Sequence, residues 1–335
     1  MKKNSILSFL VVLTFSFCGC TNDILDENTT NGTDPVSTWT SQTSGTNSSL
    51  TSVYFTSATS GFAVSDAGDI LKTSDGGKIW KNISLNTRDW YTSVFFTSTT
   101  TGYISGFNGI VLKTVDGGTT WTALSTGTID HLNSVCFTDS LNGYAVGGDL
   151  FTDGGAILKT IDGGKSWTSI SNQVTNWLYS VTFTDPTTGY AVGQGGNIIK
   201  TVDAGISWTS LKIDSLENII AVKFVDKNTG YAVGGSKNGD AGFILKTVNA
   251  GATWSTVKTE TRQVTSVYFL NPTVGYATSY DAKLNGIVLK TIDGGTSWKV
   301  DAKDLNGGYL TSLFFTGTNN GYAVGSGGVI FRYGE

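Results

Sequence analysis

Residue types that commonly carry chemistry are scarce in this chain. Its 335 residues include 1 His, 1 Met, 3 Cys and 3 Pro. A single His without neighbouring Cys makes a poor transition-metal site, so we expect no metal and no cofactor. Three cysteines leave little scope for disulfides, but a chain of this length with 39% hydrophobic residues can rest on its own core.

The chain also lacks a large excess of either positive or negative charge. The formal net charge is −4, from 22 Lys and Arg against 26 Asp and Glu, and the lysines are scattered. Such an acidic chain does not look like a nucleic-acid binder. The few arginines and glutamates are Arg88, Arg262 and Arg332, and Glu27, Glu217, Glu260 and Glu335.

Long hydrophobic runs are limited to Ile6–Phe17, which follows two lysines. This stretch has the length of a signal-peptide core and is too short to span a membrane stably. We therefore interpret residues 1–19 as a signal peptide. Its end, Phe17–Cys20, resembles a bacterial lipobox. The resemblance implies lipidation of Cys20, and secretion with non-lipid cleavage nearby is the alternative.

Residues 20–35 are rich in Thr, Asn, Asp and Gly, a composition that cannot form a core. We interpret them as a disordered tether. Thr21 rather than Asp follows the cysteine, which favours the outer membrane by analogy with enteric lipoproteins. The expected location is the cell envelope, as an outer-membrane lipoprotein that faces the periplasm or the cell exterior and contacts the membrane through its lipid anchor only.

Tryptophan, by contrast, recurs. Seven of the nine Trp follow one another at steps of 41, 41, 46, 41, 46 and 44 residues: Trp39, Trp80, Trp121, Trp167, Trp208, Trp254 and Trp298. A period of ~40–45 residues is typical of a radial repeat in which each unit is one four-stranded blade. Short runs rich in β-branched and aromatic residues lie between turns of Gly, Asn and Asp. The sequence thus predicts an all-β fold, a seven-bladed β-propeller with four-stranded antiparallel blades, over residues 36–335.

The first and last units of the repeat complement each other. We letter the strands of a blade a to d, from the central channel outwards. The last unit carries the landmarks of strands a to c, whereas residues 34–39 look like the back half of a unit. We predict that the segment around Trp39 is strand d of the blade whose other strands lie at residues 309–335. Such closure removes free sheet edges.

An eight-residue segment leads into each of the last six repeated Trp. In Thr160–Trp167, Asp162 is placed to accept backbone N–H bonds and close a tight turn, and the following Gly supplies φ > 0. The segments resemble the Asp-box, or BNR repeat, Ser/Thr-x-Asp-x-Gly-x-Ser/Thr-Trp. Its structural acidic position is occupied in turn by Asp75, Asp116, Asp162, Asp203, Asn249 and Asp293. Two copies depart from the pattern, since Asn249 replaces the Asp and Ile79 replaces the second hydroxyl residue.

A basic residue also recurs, at one position of strand c. Its copies are Lys72, Lys113, Lys159, Lys200, Lys246, Lys290 and Arg332. Such a ring would suit an acidic partner. More often these side chains lay their stems on apolar surface and pair with nearby Asp, and we favour this structural interpretation.

The pattern over residues 36–335 is similar to that of the photosystem II assembly-factor propellers. The likeness is plain in Gly189–Gly193, with the sequence Gly-Tyr-Ala-Val-Gly, and in the Asp-box that ends Lys200–Trp208. Those propellers have seven blades and act as assembly chaperones. The resemblance implies a non-catalytic module that binds or scaffolds a protein partner.

One set of positions varies from unit to unit while the rest repeats. These positions precede strand a and ring the channel entrance beside the d–a and b–c loops. With their neighbours, they give the candidate binding residues Arg88, Trp90, His131, Trp177, Asn218, Arg262, Gln263, Tyr280 and Tyr309. Exposed aromatics beside Arg are typical binding anchors. The alternative is that Trp90, Trp177 and Tyr309 simply plug the channel.

Catalytic alternatives lack their signatures. A sialidase needs an Arg triad and a Phe/Tyr-Arg-Ile-Pro motif, whereas the arginines here are dispersed and that motif is missing. Other glycosidases need two carboxylates ~5–9.5 Å apart, which sequence does not decide for the loop Asp residues. Xyloglucanases carry similar repeats, normally across two propellers. We expect no catalytic residue and a monomer that binds a protein; glycan binding or glycoside hydrolysis is the alternative.

Overall fold

The computed structural model describes residues 38–334, apart from 149–153, 171–173, 175, 212, 214–217, 237 and 306. The chain divides into two compact units, Met1–Asp34 and Pro35–Glu335, and every described residue belongs to the second. The predictions for the signal peptide, the tether and Cys20 lie outside the described residues. No helix in the described part is long and apolar enough to cross a membrane.

The first six blades are antiparallel sheets of four consecutive strands, in the order a-b-c-d. Blade 1 has strands β2 (Leu50–Phe55), β3 (Gly61–Ser65), β4 (Ile70–Thr73) and β5 (Lys81–Asn82). Blade 2 has β6 (Tyr91–Phe96), β7 (Gly102–Gly106), β8 (Val111–Thr114) and β9 (Thr122–Leu124). Blade 3 has β10 (His131–Phe137), β11 (Gly143–Gly148), β12 (Gly155–Thr160) and β13 (Thr168–Ser169).

The next three blades repeat this order. Blade 4 has β14 (Leu178–Phe183), β15 (Gly189–Gly193), β16 (Ile198–Thr201) and β17 (Thr209–Ser210). Blade 5 has β18 (Asn218–Phe224), β19 (Gly230–Gly235), β20 (Gly242–Thr247) and β21 (Ser255–Lys258). Blade 6 has β22 (Ser266–Phe269), β23 (Gly275–Tyr280), β24 (Gly286–Thr291) and β25 (Lys299–Leu305). Single 3₁₀ turns lie in the b–c loops of blades 4 and 7, at Gln194–Gly196 and Ser326–Gly328.

Blade 7 closes the ring as predicted. Its strands are β26 (Leu310–Gly317), β27 (Asn320–Gly325), β28 (Ile330–Gly334) and, outermost, β1 (Thr38–Gln42). Strand β1 pairs antiparallel with β28, so that Trp39 lies opposite Tyr333. The predicted seven-bladed, four-stranded, all-β architecture is therefore confirmed, including the strand that joins the two ends of the repeat.

The hydrophobic core is divided among the seven interfaces between neighbouring blades. Each of seven clusters of buried side chains combines residues from two adjacent blades. In every blade the repeated Trp stands edge-on to the last Phe of strand a, with ring centroids 5.8–6.2 Å apart and planes at 79–88°. This geometry is a favourable one for aromatic pairs. Because Trp39 pairs in the same way with Phe315, blade 7 has the same inner packing as the others.

The Asp-box turns follow the predicted hydrogen-bond logic. Thr160 Oγ1 donates to Asp162 Oδ1 (2.8 Å) and accepts from the amide of Gly164 (2.9 Å). Ser166 donates to Asp162 through its hydroxyl (2.6 Å) and its amide (3.0 Å). These donors, the Ser166 hydroxyl foremost, lower the pKa of Asp162 to about 2. Asn249 fits the same turn because its side-chain amide donates to the hydroxyl of Thr253 (2.8 Å).

The repeated strand-c lysines join each blade to the next. Lys113 Nζ and the hydroxyl of Tyr103 both donate to the carbonyl oxygen of Gly163, in the box turn of the following blade, at 2.7 and 3.0 Å. Lys72, Lys159 and Lys200 donate in the same way. The structural interpretation of these lysines is confirmed, but most of them bond a backbone carbonyl instead of the expected Asp. Among described residues, the one ion pair joins Lys290 to Asp301 (3.9 Å).

Candidate binding face

The propeller has two chemically different faces. The antiparallel strand order places the d–a and b–c loops at one end of every blade, which we call the loop face, and the a–b and c–d turns at the other, which we call the box face because it carries the Asp-boxes. On the loop face, the residue after strand b repeatedly donates its amide to the carbonyl of the residue before strand a. Phe107 bonds Trp90 in this way (2.9 Å), and Gln194 bonds Trp177 (2.9 Å). The rim positions predicted from the repeat thus lie beside the b–c loops.

Aromatic side chains from three consecutive blades meet on the loop face. Trp90 and Phe107, from blade 2, have ring centroids 4.9 Å apart. Phe107 lies 3.7 Å from His131 of blade 3, and His131 lies 5.7 Å from Trp177, which precedes strand a of blade 4. We call these four residues the aromatic arc. Three of them were predicted as binding candidates, and the structure brings them together.

Phe107 is the arc residue that sequence reasoning missed. It occupies the first position of the b–c loop in blade 2, where the repeat has Asp66 in blade 1 and Gln194 in blade 4. A comparison of this loop position between units would have shown one aromatic residue beside the predicted Trp90 and His131. Its ring links these two side chains into a continuous surface.

The arc is supported differently at its two ends. Trp90 is 52% exposed. Trp177 is half-buried and lies on Gly148 at the end of β11, where a Cβ atom would overlap its indole ring. Glycine is needed at this position for the close approach of the ring. The arc therefore has one fixed end and one end open to solvent.

His131 occupies the middle of the arc in an apolar setting. Its Nδ1 atom is buried and has no hydrogen-bond partner among the described residues. Burial lowers the pKa of His131, and the neighbouring carboxylate of Asp130 opposes this shift. The imidazole is therefore neutral near pH 7 and presents a flat, weakly polar ring between Phe107 and Trp177.

A second group of predicted residues lies on blades 6 and 7. Tyr280 and Tyr309 have ring centroids 5.6 Å apart, and Arg262 donates its amide to the carbonyl of Tyr280 (3.0 Å). Nearby, Ser236 donates a hydrogen bond to Asp240. That bond and the charge of Arg262 lower the pKa of Asp240. This group offers two tyrosines, a cation and an anion.

The remaining predicted residues have different settings. The side chain of Asn218 accepts a hydrogen bond from the amide of Gly195 (3.3 Å), so it is already used within the fold. Gln263 is half-buried, and its amide donates to the carbonyl of Gly239 (3.4 Å). Arg88 is exposed and makes no hydrogen bond or ion pair with another described residue. Neither Asn218 nor Gln263 belongs to the arc.

A cleft of about 640 Å³ opens beside the arc, at the outer side of blade 2. Its lining includes Asp89, next to Trp90, and Ile129, two residues before His131. The volume is within the range of small-ligand sites, and the walls combine apolar side chains such as Ile110 and Leu124 with small polar ones such as Ser125 and Thr128. The cleft thus adds a mixed apolar and polar surface beside the aromatic arc.

A family model described as "Photosynthesis system II assembly factor YCF48" matches residues 32–176 and 167–271, which is more than half of the chain. The chain belongs to the YCF48 family. No curated protein matches it.

Solved structures of YCF48 proteins have the same fold. The structure described as "YCF48 bound to D1 peptide" is 17% identical with a TM-score of 0.71, over 89% of this chain and 95% of that one. YCF48 from Cyanidioschyzon merolae is 21% identical with a TM-score of 0.71, over 88% and 98% of the two chains. At these identities the likeness extends to the fold alone.

A glycoside hydrolase also shares the propeller. The GH74 enzyme of Niastella koreensis is 16% identical with a TM-score of 0.72, over 88% of this chain but 53% of the enzyme. This YCF48-family chain thus spans about half the length of that enzyme. Among the described residues of the present chain, no group of three or more His, Cys, Asp and Glu is placed to hold a metal ion.

Proposed function

We propose that this chain is a lipid-anchored, extracytoplasmic binding module that performs no chemistry and captures a segment of a partner protein on its loop face. The observation that carries the proposal is the aromatic arc. It runs across blades 2 to 4 and ends in the exposed indole of Trp90. Large, rigid aromatic rings are the side chains that most often dominate protein binding.

Family membership supports a protein partner. The family is described as an assembly factor, and one solved YCF48 structure is described as bound to a peptide, D1. A peptide that crosses the arc would meet apolar rings, with the mixed lining of the cleft beside Trp90. Such a surface suits an extended segment that carries apolar side chains.

Two carboxyl groups of the loop face, those of Asp240 and Asp281, are unsuited to glycoside hydrolysis. A glycosidase needs a protonated general acid, whose pKa is raised by its surroundings. Asp240 and Asp281 both have lowered pKa values, Asp240 through Ser236 and Asp281 chiefly through the amide of Asn285. They are therefore poor general acids, and we assign no catalytic residue.

Binding of the full chain to peptide and glycan arrays tests this function. Trp90→Ala removes the exposed ring, and Gly148→Ala displaces Trp177 without touching any polar group. We expect each change to weaken peptide binding about 30-fold, the cost of losing a hot-spot side chain. Gly317→Ala is the matched control, since its Cβ atom would enter open space. Binding to glycans alone, or peptide binding that survives both arc variants, contradicts the proposal.

A further inference from the structure

The box face carries a regular set of exposed apolar side chains. In five of the six Asp-boxes, the residue after the first Thr is Val or Ile, and two boxes expose a further Ile. All are between 59% and 74% exposed. We call this set the apolar rim: Ile79, Val115, Ile161, Val202, Ile206, Val248 and Ile292. Their recurrence in the box turns places them all on one face of the propeller, and exposed apolar residues that gather on one face point to a contact surface.

A cleft opens in the box face between blades 3 and 4. Ile161, Ile170 and Ile206 line this cleft of about 280 Å³, together with the stem of Lys159. The amine of Lys159 is already used within the fold, because it donates a hydrogen bond to the carbonyl of Ala204 (2.7 Å). The cleft is thus a mainly apolar notch whose one lining cation is already bonded.

The chain enters the propeller on this same face. Thr38, the first residue of β1, lies opposite Gly334 at the end of strand c in blade 7. The antiparallel order a-b-c-d makes strand c end on the box face in every blade, and the Asp-box turn follows it in blades 1 to 6. Thr38, the first described residue, therefore lies at the box face. If Cys20 carries lipid, the anchor pulls the apolar rim, and not the aromatic arc, towards the membrane.

We propose that the apolar rim rests on an electroneutral lipid surface, so that the box face lies on the bilayer and the loop face is turned away from it towards partners. This inference rests on the lipid anchor of the proposed function. It adds a second, direct membrane contact to the anchor.

The charges of the box face decide which lipid surface fits. The box carboxylates remain ionised, because their hydrogen bonds lower the pKa values of Asp75, Asp116, Asp162, Asp203 and Asp293. A surface with these fixed anions is repelled by anionic headgroups and tolerates zwitterionic ones. Apolar contact and charge together favour phosphatidylcholine-like or phosphatidylethanolamine-like surfaces over phosphatidylglycerol.

The experiment uses the full, lipidated chain with a nitroxide at one of two exposed positions. Ile206→Cys labels the box face, and Ile129→Cys labels the loop face. Cys136 does not interfere, since it is buried and burial raises its pKa to about 12. On phosphatidylcholine vesicles, power saturation gives the ratio of the label's accessibility to oxygen and to a water-soluble nickel complex. We expect this ratio to be at least threefold higher at position 206 than at position 129.

Two further arms complete the test. In the first arm, the label stays at position 206 and the double change Ile161→Asp and Ile292→Asp is added. It should remove the lipid contact, while the protein still floats with the vesicles. In the second arm, phosphatidylglycerol in the vesicles should weaken the lipid contact at low salt. The proposal is overturned if the accessibility ratios at positions 206 and 129 are equal. It is also overturned if anionic lipid strengthens the contact, or if the apolar rim is buried in a dimer. Failure to float overturns the anchor and this inference together. Peptide binding by the loop face is measured independently in solution.

Discussion

Trp39 and Asp301 are 262 residues apart in the chain and are joined by a hydrogen bond, in which the indole Nε1 donates to Oδ2 of the carboxylate (3.0 Å). The second oxygen of Asp301 lies 3.9 Å from Lys290 Nζ. Blade 7 has no Asp-box turn, so the lysine of blade 6 has no turn carbonyl to bond. Asp301 provides the partner for Lys290 instead, and it also bonds Trp39 in β1, the strand that closes the ring.

Trp39→Ala should destabilise the propeller, because it removes both this bond and the edge-on contact with Phe315. The indole is half-buried, so we expect a loss of about 2–3 kcal/mol, below the range for fully buried Trp. For a domain of this size the melting temperature falls by roughly 3–5 °C. Calorimetry measures it. Trp90→Ala is the control, and an equal drop in both variants would mean that the closing strand has no special part in stability.

The Asp-box of blade 1 is incomplete and can be repaired. Asp75 accepts the amide of Ile79 (3.0 Å), but Ile79 supplies no hydroxyl, whereas Ser166 does so for Asp162. Ile79→Ser should therefore stabilise the protein by about 0.5–1 kcal/mol, and Ser166→Ala should destabilise it by a similar amount. Chemical denaturation of both variants checks the prediction. Shifts of the same sign would show that the hydroxyl does not contribute.

Stability should fall in acid as the box carboxylates take up protons. Hydrogen bonds from the box hydroxyls lower the pKa of Asp162 and Asp203 to about 2, and Asp116 and Asp293 also lie well below their usual range. Since the folded values are lowered, the stabilisation is complete above the ordinary value of 3.8 and is lost as the pH falls through about 2. Melting temperatures between pH 5 and pH 2 measure the slope.

The matched variant for this acid effect is Asp162→Asn, since Asn249 already fits the same turn. It should keep the fold and flatten the decline in melting temperature below pH 4. An unchanged slope would place the acid-sensitive groups elsewhere.

Binding by the loop face should weaken below neutral pH through His131. Burial lowers the pKa of this imidazole from 6.5, so the neutral ring that packs on Phe107 prevails at pH 7. Protonation puts a charge and an unbonded N–H group between apolar rings, which favours an open arc. Peptide affinity should decline as the pH falls below 6.5. His131→Phe should keep the affinity and abolish the decline; a decline that persists in this variant assigns the titration to another group.

The repeat made most of the fold predictable. Each box Trp has the same partner in strand a, so the period of Trp gives the number of blades and leaves Trp39 to complete the seventh. The hydrogen-bond acceptor of Lys113 could not be predicted in this way. It is a backbone carbonyl of the next blade, and the distance between blades is not encoded in a local motif. The arc was predicted in part for the same reason. Whether Trp177 rests on the loop beside it depends on Gly148, a contact between two blades.

The pairing of β1 with β28 has a mechanical consequence. The chain enters at Thr38 on the box face and runs along the strand, with five residues in register from Thr38–Gly334 to Gln42–Ile330. A pull on the N-terminal segment while a partner holds the opposite face acts along the strand axis. All the ladder bonds then share the load at once, in shear, instead of breaking one after another as in a zipper. The outermost strand that seals the torus is thus loaded in its strongest direction.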